Sequence, residues 1–344
     1  NSTGSNRHRT RYCHAVPAFN QDIYITLNSS EESSSAGISG MQTCGSICSC
    51  PVCATQKMTR YGNDIRKALA YAELHNLRPV MLTLTARHTR QMTLKYFKDA
   101  FKDAYNTFQR HRKFRDIKNT LNIKHSIISR EITYGSNGWH YHMHILYFVP
   151  ASSVRHAHNK TEEVISLTSL WLTSLELNGL DATEDHALDL SSGKKNKVYL
   201  AKLGYEVDSQ GDLAYELTGN DNKGKTVFDL LRLAYFGDLF AESLYCEYVT
   251  EMTGHKWITW SNGFKALFED IELDDPDLPD NQVLHKWLHI DSWTWNAIAR
   301  LNKVHVVVKC AARWRDKKRL RQLLYQLSDE WYNSENKPIT GKVK

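Results

Sequence analysis

Apolar and polar residues alternate, or apolar β-branched residues cluster, in several short stretches of the chain. This pattern predicts strands at 79–85, 126–134, 139–149, 187–190 and 305–309. Residues 135–138, Gly-Ser-Asn-Gly, have the composition of a hairpin turn between the second and third strands. These two strands are therefore expected to pair directly and antiparallel.

Apolar residues recur at helical spacing in the longer segments between the strands. They predict helices at 54–75, 92–113, 161–178, 194–203, 226–250, 282–300 (mostly helical) and 315–331. The serine-rich segment 29–40 is predicted to be a flexible loop. Strands and helices in this arrangement indicate an α+β fold, with a central antiparallel sheet flanked by helices.

Composition divides the chain into three predicted parts. Residues 1–60 form an N-terminal arm and a cysteine-rich element, 61–268 form the main domain, and 281–344 form a basic, aromatic and helical C-terminal region. The boundary before the last part is the segment 269–280, which has seven acidic residues and two prolines. The C-terminal region is expected either to bind DNA or a partner protein, or to support the main domain.

Composition also limits the class of protein. With 41% hydrophobic and 11% aromatic residues the chain has enough apolar surface to fold, which excludes disorder for most of it. No apolar run approaches the ~20 residues that span a bilayer, so no membrane association is expected. Four of the seven cysteines lie within 44–53, which favours metal binding in a reducing compartment, and we expect a cytoplasmic protein.

Charge is unevenly distributed, although the formal net charge is only +6. Residues 95–124 contain nine basic and three acidic side chains, and residues 303–344 contain eleven basic and four acidic ones. Such separation is typical of a protein that places basic surfaces on a polyanion. The alternative is that these are ordinary solvated helix faces.

Three histidines alternate along one predicted strand. Successive side chains of a strand point to opposite faces, so His140, His142 and His144 project from the same face. If Ser136-Asn137 is the centre of the turn, Glu131 lies opposite His142 on that face. Two imidazoles and a carboxylate suit a divalent metal with open positions, Mn²⁺ or Mg²⁺, and His140 competes with Glu131 as the third ligand.

The cysteine-rich segment contains a second candidate metal site. Cys50-Pro-Val-Cys53 is typical of a zinc knuckle, and Cys44 is close in sequence. A structural Zn²⁺ needs four ligands, and Cys48, Cys13 or His14 is the candidate for the fourth. A set of buried reduced thiols is the alternative.

One tyrosine lies in a lysine-rich segment. Tyr199 has Lys194, Lys195, Lys197 and Lys202 as neighbours, and Lys202 shares its helix face. Nearby cations favour a phenolate and hold a phosphate. Considered alone, such a tyrosine is more often a surface residue.

Taken in order, these segments resemble a known family. The segments, between residues 44 and 268, are CGSICSCPVCA, MLTLTARH, GWHYHMHIL, VYLAKLG, LAYELTGNDNKGKTVFDLL and ITWSNGFKALF. Their series is similar to that of the replication initiator proteins of bacterial rolling-circle plasmids, in the group with a CPxC element, which belongs to the HUH endonucleases.

The resemblance implies a metal-dependent enzyme that nicks and rejoins one DNA strand at a plasmid origin. His142 and His144 match the metal-binding histidines, Tyr199 the nucleophile and Lys202 the lysine that follows it. The nucleophile becomes linked to the 5′ end, and the free 3′-OH primes synthesis. The fold implied is an antiparallel sheet with the histidines at its centre.

The resemblance also implies partners. The origin is expected as a single strand or hairpin, and basic side chains are expected to contact its phosphates. These side chains are Lys194, Lys195, Lys197, Arg110, Arg112, Lys113 and Arg115. A host replicative helicase and polymerase are expected partners. Oligomeric state is not predicted.

The chain departs from some relatives in one respect. They carry a glutamate four residues before the nucleophile to end replication, and this chain has Lys195 there. Tyr205, Glu206 and Asp189 are candidate substitutes, although Tyr205 is about 240° around a helix from Tyr199.

Two alternative functions stay open at this point. The same chemistry occurs in HUH transposases and conjugative relaxases. A zinc-stabilised protein that binds nucleic acid without catalysis is the second alternative.

Overall fold

A computed structural model describes residues 9–27, 35–156, 162–192, 224–271 and 285–335 of the chain. These residues form two compact units. The larger unit lies within 47–274, and the smaller combines the described parts of 1–46 and 275–344.

Strands and helices are numbered here in chain order. The strands are β1 Ile23–Leu27, β2 Ala36–Ser39, β3 Leu77–Thr85, β4 His125–Gly135, β5 Gly138–Pro150, β6 Leu188–Ser192, β7 Ile258–Trp260 and β8 His285–Ile290. The α-helices are α1 Pro51–Leu74, α2 Leu94–Arg110, α3 Arg112–Thr120, α4 Glu162–Glu176, α5 Glu184–Ala187, α6 Val227–Tyr235, α7 Leu239–Met252, α8 Ser292–Arg300, α9 Val304–Trp314 and α10 Lys317–Glu335. Short 3-10 helices are formed by Arg9–Tyr12, Ala151–His156 and Lys265–Leu267.

The larger unit is built on a five-stranded antiparallel sheet in the order β6-β3-β5-β4-β7. Helices flank this sheet, so the predicted α+β class is confirmed. The β4–β5 hairpin turns between Gly135 and Gly138, and Glu131 lies opposite His142, as the sequence predicts. On its other side His142 lies opposite Thr85 of β3, which makes β5 the central strand.

One face of this sheet packs against α2, α4, α6 and α7 to form the main hydrophobic core. The odd-numbered side chains of β5 point into it. The ring of Tyr141 lies 4.9 Å from that of Phe101 on α2, which in turn contacts Trp171 on α4 at 5.2 Å. Aromatic burial of this kind contributes strongly to stability and holds β5 in one position.

The opposite face carries the even-numbered side chains of β5. Leu146 and Phe148 pack against Ile65 on α1 and against Phe264. The same row continues as His144, His142 and His140 toward the hairpin turn. The apolar half of this face is therefore part of a second core, and the polar half carries the three imidazoles.

The smaller unit contains a three-stranded antiparallel sheet in the order β2-β1-β8. Three helices, α8, α9 and α10, pack against it and bury Trp295, Val307 and Leu320. The indole N–H of Trp295 donates to the carbonyl of Ala15, 3.1 Å away. Segments from distant parts of the chain thus share one core.

Several sequence predictions are corrected. The predicted strand 305–309 lies inside helix α9, whose residues Val307 and Ala311 are buried, so tertiary packing overrides the β propensity of its valines. The predicted helical segment 282–300 includes strand β8, and the predicted loop 29–40 includes strand β2. Strand β1 has no counterpart among the predictions.

The predicted helix 92–113 is two helices. His111 has extended backbone angles and ends α2, and its Nδ1 accepts the N–H of Lys113 as the cap of α3. Among the residues that the structure describes, none of the helices has both the length and the apolar character that crossing a membrane requires.

Candidate functional site

The three histidines of β5 lie in a row across the polar half of the sheet. His144 is buried, at 2% exposed, whereas His142 and His140 are partly buried, and Glu131 on the neighbouring strand β4 is about half exposed at 52%. The row therefore grades from a buried end toward one that solvent reaches. Such a gradient suits a site that binds a charged ligand from solution.

Two threonines of β3 hold the imidazoles from the other side. The hydroxyl of Thr83 lies 3.1 Å from Nδ1 of His144, and that of Thr85 lies 3.2 Å from Nδ1 of His142. With Nδ1 protonated and donating to the threonine oxygen, Nε2 of each ring keeps its lone pair for a cation. The alternation Thr-Leu-Thr thus orients both rings.

The candidate ligand atoms come together in two close pairs. Nε2 of His144 lies 3.5 Å from Oε2 of Glu131, and Nε2 of His142 lies 3.0 Å from Nδ1 of His140. These distances match two neighbouring ligands on one ion, which lie about 3.0–3.5 Å apart when each bond is about 2.1 Å long. In the described part of the chain, three or more ligand atoms within 4.8 Å of one another occur only among the cysteines discussed below.

Burial keeps the imidazoles of His142 and His140 uncharged. It lowers the pKa of His142 to about 3 and the pKa of His140 to about 4, with a further contribution from neighbouring imidazoles. Burial alone would raise the pKa of Glu131, but its hydrogen-bonding contact with His144, together with the proximity of His142 and His140, outweighs this and lowers the pKa. Neutral imidazoles beside a carboxylate are the protonation states that a divalent cation binds.

Further polar groups border the row. The ring of His88 lies 4.5 Å from that of His140, and its buried Nδ1 has no hydrogen-bond partner in the described structure. Asp189 of β6 lies opposite Thr83, which places its exposed side chain on the same face as His144. Asp189, a weak candidate from the sequence, is therefore close to the site in the sheet register.

Buried contacts on the far side of the sheet hold the site strands in place. The indole N–H of Trp171 donates to the carbonyl of Thr85 at 2.9 Å. Glu247 on α7 accepts the indole N–H of Trp139 at 2.9 Å and the backbone N–H of Leu94 at 2.7 Å. These bonds connect the ends of β3 and β5 to the helices and restrict the site's movement.

Gly138 allows the hairpin turn that brings β4 beside β5. Its φ is +96°, and a Cβ there would lie 2.8 Å from the carbonyl oxygen of Thr89. Another residue would be strained by both the backbone angle and the contact. The register that places Glu131 opposite His142 therefore depends on glycine here.

A separate cluster of thiols lies at the start of α1. The sulfur atoms of Cys13, Cys44, Cys50 and Cys53 all lie within 4.8 Å of one another. Four thiolates around a tetrahedral Zn²⁺, with bonds of about 2.3 Å, have sulfur–sulfur distances of about 3.8 Å, so the group fits a zinc ion. The cluster can hold a metal such as zinc.

Local bonds support the cluster. The backbone N–H of Cys44 donates to Sγ of Cys13 at 3.4 Å, and the N–H of Ser46 donates to Sγ of Cys44 at 3.5 Å. Such N–H···S bonds stabilise thiolate ligands. Cys48 is not in the cluster, since its buried Sγ lies 3.9 Å from the hydroxyl of Thr253. His14 is not in it either, so Cys13 completes the set of four.

The other predicted site residues are distributed as follows. Arg110, Arg112, Lys113 and Arg115 are exposed at the α2–α3 junction, on helices that pack against the face opposite the histidines. The structure therefore does not bring them to the histidine row, and Arg112 is paired with Asp116 at 3.8 Å. Outside the described residues lie Tyr199, Lys202, Lys194, Lys195, Lys197, Tyr205 and Glu206.

Sequence reasoning treated Thr83 and Thr85 only as part of a strand. Their hydroxyls face the histidines, and the period of two in Thr-Leu-Thr beside an alternating His strand would have indicated this. His88, three residues after Thr85, was also missed. No pattern in the sequence connects a histidine in a loop with the ring of His140.

Comparison with known proteins gave one match. Residues 38–180 match the model of the family Rep_1, described as "Replication protein". The matched region includes β3, the β4–β5 hairpin, the histidine row and three of the four clustered cysteines. No curated protein and no solved structure matches the chain.

Proposed function

We propose that this chain nicks and rejoins one strand of a plasmid origin, a proposal supported by the match of residues 38–180 to the model of a replication protein family. The family implies an initiator of rolling-circle replication that binds origin DNA. The nicking chemistry and the residues that perform it are our proposal. The observation that carries it is the pairing of Thr85, His142 and Glu131 across three adjacent strands.

His142 and His144 are the proposed metal ligands, with Glu131 as the third. Their Nε2 atoms face away from the threonine hydroxyls, and Glu131 adds the negative charge that neutral imidazoles lack. His140 is the competing third ligand because it already lies against Nε2 of His142. When bound, Mn²⁺ or Mg²⁺ would polarise the scissile phosphate and stabilise charge on the leaving oxygen.

Tyr199 is the proposed nucleophile. Its phenolic oxygen attacks phosphorus, the bond from phosphorus to the 3′-oxygen breaks, and the tyrosine proton passes to solvent or a neighbouring base. The products are a 5′-phosphotyrosine and a free 3′-OH that primes synthesis. Because the phosphodiester energy is kept in the tyrosine ester, a later attack by a 3′-OH reseals the strand without ATP.

Basic side chains position the strand in this proposal. Lys202 holds the phosphate near Tyr199, and Lys194, Lys195 and Lys197 contact backbone oxygens. Asp189 is a proposed acceptor of the proton of a water molecule or hydroxyl during the closing reaction. Its support is the register that places it on the histidine face.

The thiol cluster has a structural role in the proposal. A Zn²⁺ with four protein ligands has no open position for a substrate. Strand extension and helicase activity are assigned to host proteins in this proposal. The transposase and relaxase alternatives lose support because the family match is to replication proteins.

The test uses a supercoiled plasmid that carries the gene with its native flanks. Protein and Mn²⁺ are added, and relaxation and extraction of DNA into phenol are measured. We expect a covalent 5′ adduct with the wild type and none with Tyr199→Phe. Tyr235→Phe, at an exposed tyrosine of α6, removes the same oxygen elsewhere and should leave adduct formation unchanged.

Two results would count against the proposal. An adduct that persists in Tyr199→Phe would reject Tyr199 as the nucleophile, and Tyr205→Phe would then be assayed. Binding without cleavage in either metal, on the plasmid and on single-stranded oligonucleotides tiled across the flanks, would favour the non-catalytic alternative.

A further inference from the structure

Large apolar side chains are exposed at the corner between helices α6 and α7. Tyr235 and Phe236 lie at the end of α6, and Leu239 and Phe240 lie at the start of α7. All four are between 62% and 84% exposed. Single apolar residues are ordinary on a protein surface, but a contiguous group of them marks an interaction site. We call these four residues the α6–α7 patch.

Hydrogen bonds hold this corner in one conformation. The backbone N–H of Phe236 donates to the carbonyl of Arg232 at 3.2 Å, and that of Asp238 donates to the carbonyl of Leu233 at 3.1 Å. Oδ1 of Asp238 also accepts the backbone N–H of Ala241 at 3.0 Å and caps α7. A fixed surface loses little conformational entropy on binding, so the patch is preorganised for a partner.

The exposed apolar area is large for a monomer. Helices α6 and α7 already bury Leu230, Leu244 and Tyr248 in the main core, so the patch is additional to the side that stabilises the fold. An aromatic side chain has about 150–250 Å² of surface, and the patch therefore exposes roughly 500 Å². A stable interface takes about 800 Å² from each partner. The patch supplies more than half of that area.

Charges of both signs surround the patch. Arg232 is exposed one turn from it on α6, and Glu242 is exposed one turn from it on α7. Asp238 is exposed between the two helices, and Lys225 is exposed on the adjoining side, next to β4. The rim therefore has two cations and two acids and no net charge.

This balanced rim decides which partner fits. A nucleic-acid strand is a poor fit, because Asp238 and Glu242 repel its phosphates. A membrane surface is also a poor fit, since it favours apolar residues beside Lys and Arg alone. A second copy of the same surface carries both signs. A two-fold axis through the patch brings α6 of one copy to α7 of the other, so that opposite charges meet.

We propose that the α6–α7 patch is the interface of a symmetric dimer of this chain. The four apolar side chains form its centre, and Arg232 pairs with Glu242 of the partner subunit on each side of the axis. Aromatic residues are enriched in the centres of such interfaces. The inference goes beyond the nicking proposal and does not rest on it, because this dimer forms without DNA and without metal.

The test measures self-association of the full chain without DNA, by sedimentation velocity from about 1 to about 100 μM. Phe236→Ser/Leu239→Ser removes half of the patch. Phe19→Ser/Leu177→Ser is the matched control, because it removes the same two side-chain types at sites that are 91% and 71% exposed. Circular dichroism at the lowest concentration gives the melting temperature, which should stay within about 2 °C of wild type in both variants.

We expect wild type and the control to dimerise with dissociation constants in the micromolar range, since the interface is small. The patch variant should dimerise about 100-fold more weakly. A wild-type chain that stays monomeric at the highest concentration, or a patch variant that dimerises like wild type, would overturn the inference. A melting temperature that falls only in the patch variant would show that the chain itself covers the patch, which also rejects the dimer.

A charge exchange tests the two-fold arrangement. Arg232→Glu places like charges opposite each other twice and should weaken dimerisation about tenfold. Arg232→Glu/Glu242→Arg restores opposite charges and should return the dissociation constant to within about threefold of wild type. A double variant that is weaker than the single one would reject the symmetric pairing.

The same samples separate this inference from the proposed function and from DNA binding at the patch. Because dimerisation is measured without DNA, a failed nicking assay leaves it unaffected, and a monomeric wild type leaves the nicking proposal standing. A patch variant that dimerises normally but binds single-stranded oligonucleotides from the plasmid flanks less tightly would assign the patch to DNA and reject the dimer.

Discussion

The two candidate metal sites of this chain differ in almost every physical respect. The thiol cluster contains four chemically identical donors, all of them cysteine sulfur atoms. Two of these cysteines are buried at the start of α1. The histidine row mixes imidazoles and a carboxylate, has its donors in pairs, and has one ligand half exposed. In the proposed function, the first site would be complete without a substrate, and the second would leave coordination positions for one.

This difference indicates how one chain separates stability from chemistry. A metal with four protein ligands cross-links the fold and contributes its binding energy to folding. A metal with two or three ligands contributes less to folding but keeps positions for a phosphate oxygen. The hydroxyls of Thr83 and Thr85 contact the rings of His144 and His142 and restrict their orientation.

Among the substitutions that test this difference between the two sites, His142→Ala is expected to have the largest effect. Cleavage of a single-stranded origin oligonucleotide should fall about 10³-fold or more, equivalent to about 4 kcal/mol. The melting temperature should change little, because His142 lies outside the apolar core. His186→Ala, at an exposed histidine of α5, is the matched control. Cleavage within tenfold of wild type would remove His142 from the metal site.

The second effect concerns the thiol cluster. Cys53→Ser should abolish stoichiometric Zn²⁺ binding and lower the free energy of unfolding by about 3 kcal/mol or more, because a structural metal is lost. Bound metal is measured by mass spectrometry and stability by thermal denaturation. Cys246→Ser, at an exposed thiol of α7, should behave as wild type. A purified wild-type chain without zinc, and with unchanged stability after chelation, would contradict a structural zinc.

A third experiment distinguishes the two candidates for the third ligand of the histidine site. Glu131→Gln should weaken Mn²⁺ binding about 100-fold because it removes the only negative ligand, and His140→Gln should weaken it less than tenfold. Titration calorimetry gives both constants. The reverse order of effects would assign His140 as the ligand.

The smallest effect is expected from the orienting hydroxyls. Thr83→Val keeps the shape of the side chain and removes the partner of Nδ1 of His144, so Mn²⁺ affinity should fall about tenfold with the fold intact. Thr120→Val on α3, where the hydroxyl bonds only to its own helix, controls for the loss of a hydroxyl. An unchanged affinity in Thr83→Val would show that packing alone orients the ring.

Short-range patterns correctly predicted the hairpin that carries the histidines and its register. The hairpin and its register follow from Gly-Ser-Asn-Gly between two alternating strands, which is local information. The contact of Thr83 with the histidines could not be predicted from local sequence, because it depends on the pairing of β3 with β5. That pairing joins residues about sixty positions apart. The thiol set was predicted as far as Cys44, Cys50 and Cys53, and only the fold shows that Cys13 completes it.

Long-range pairing also explains the errors in the predicted secondary structure. The valines of 305–309 have strand propensity, but their segment packs as a helix against β1 and β2, which no local pattern reveals. Strand β1 escaped prediction because its partner β8 lies near the other end of the chain. The catalytic tyrosine stays a prediction from family resemblance.

The pairing of β1 with β8 has a consequence for the order in which the chain folds. Ile25 lies opposite Leu288, so this sheet closes a loop of more than 260 residues. A ribosome must make almost the entire chain before β1 finds its partner, whereas the β4–β5 hairpin closes within two dozen residues. During synthesis the histidine sheet can therefore assemble first and α10 last. Only a chain translated nearly to its end would have a folded sheet against which α10 can pack.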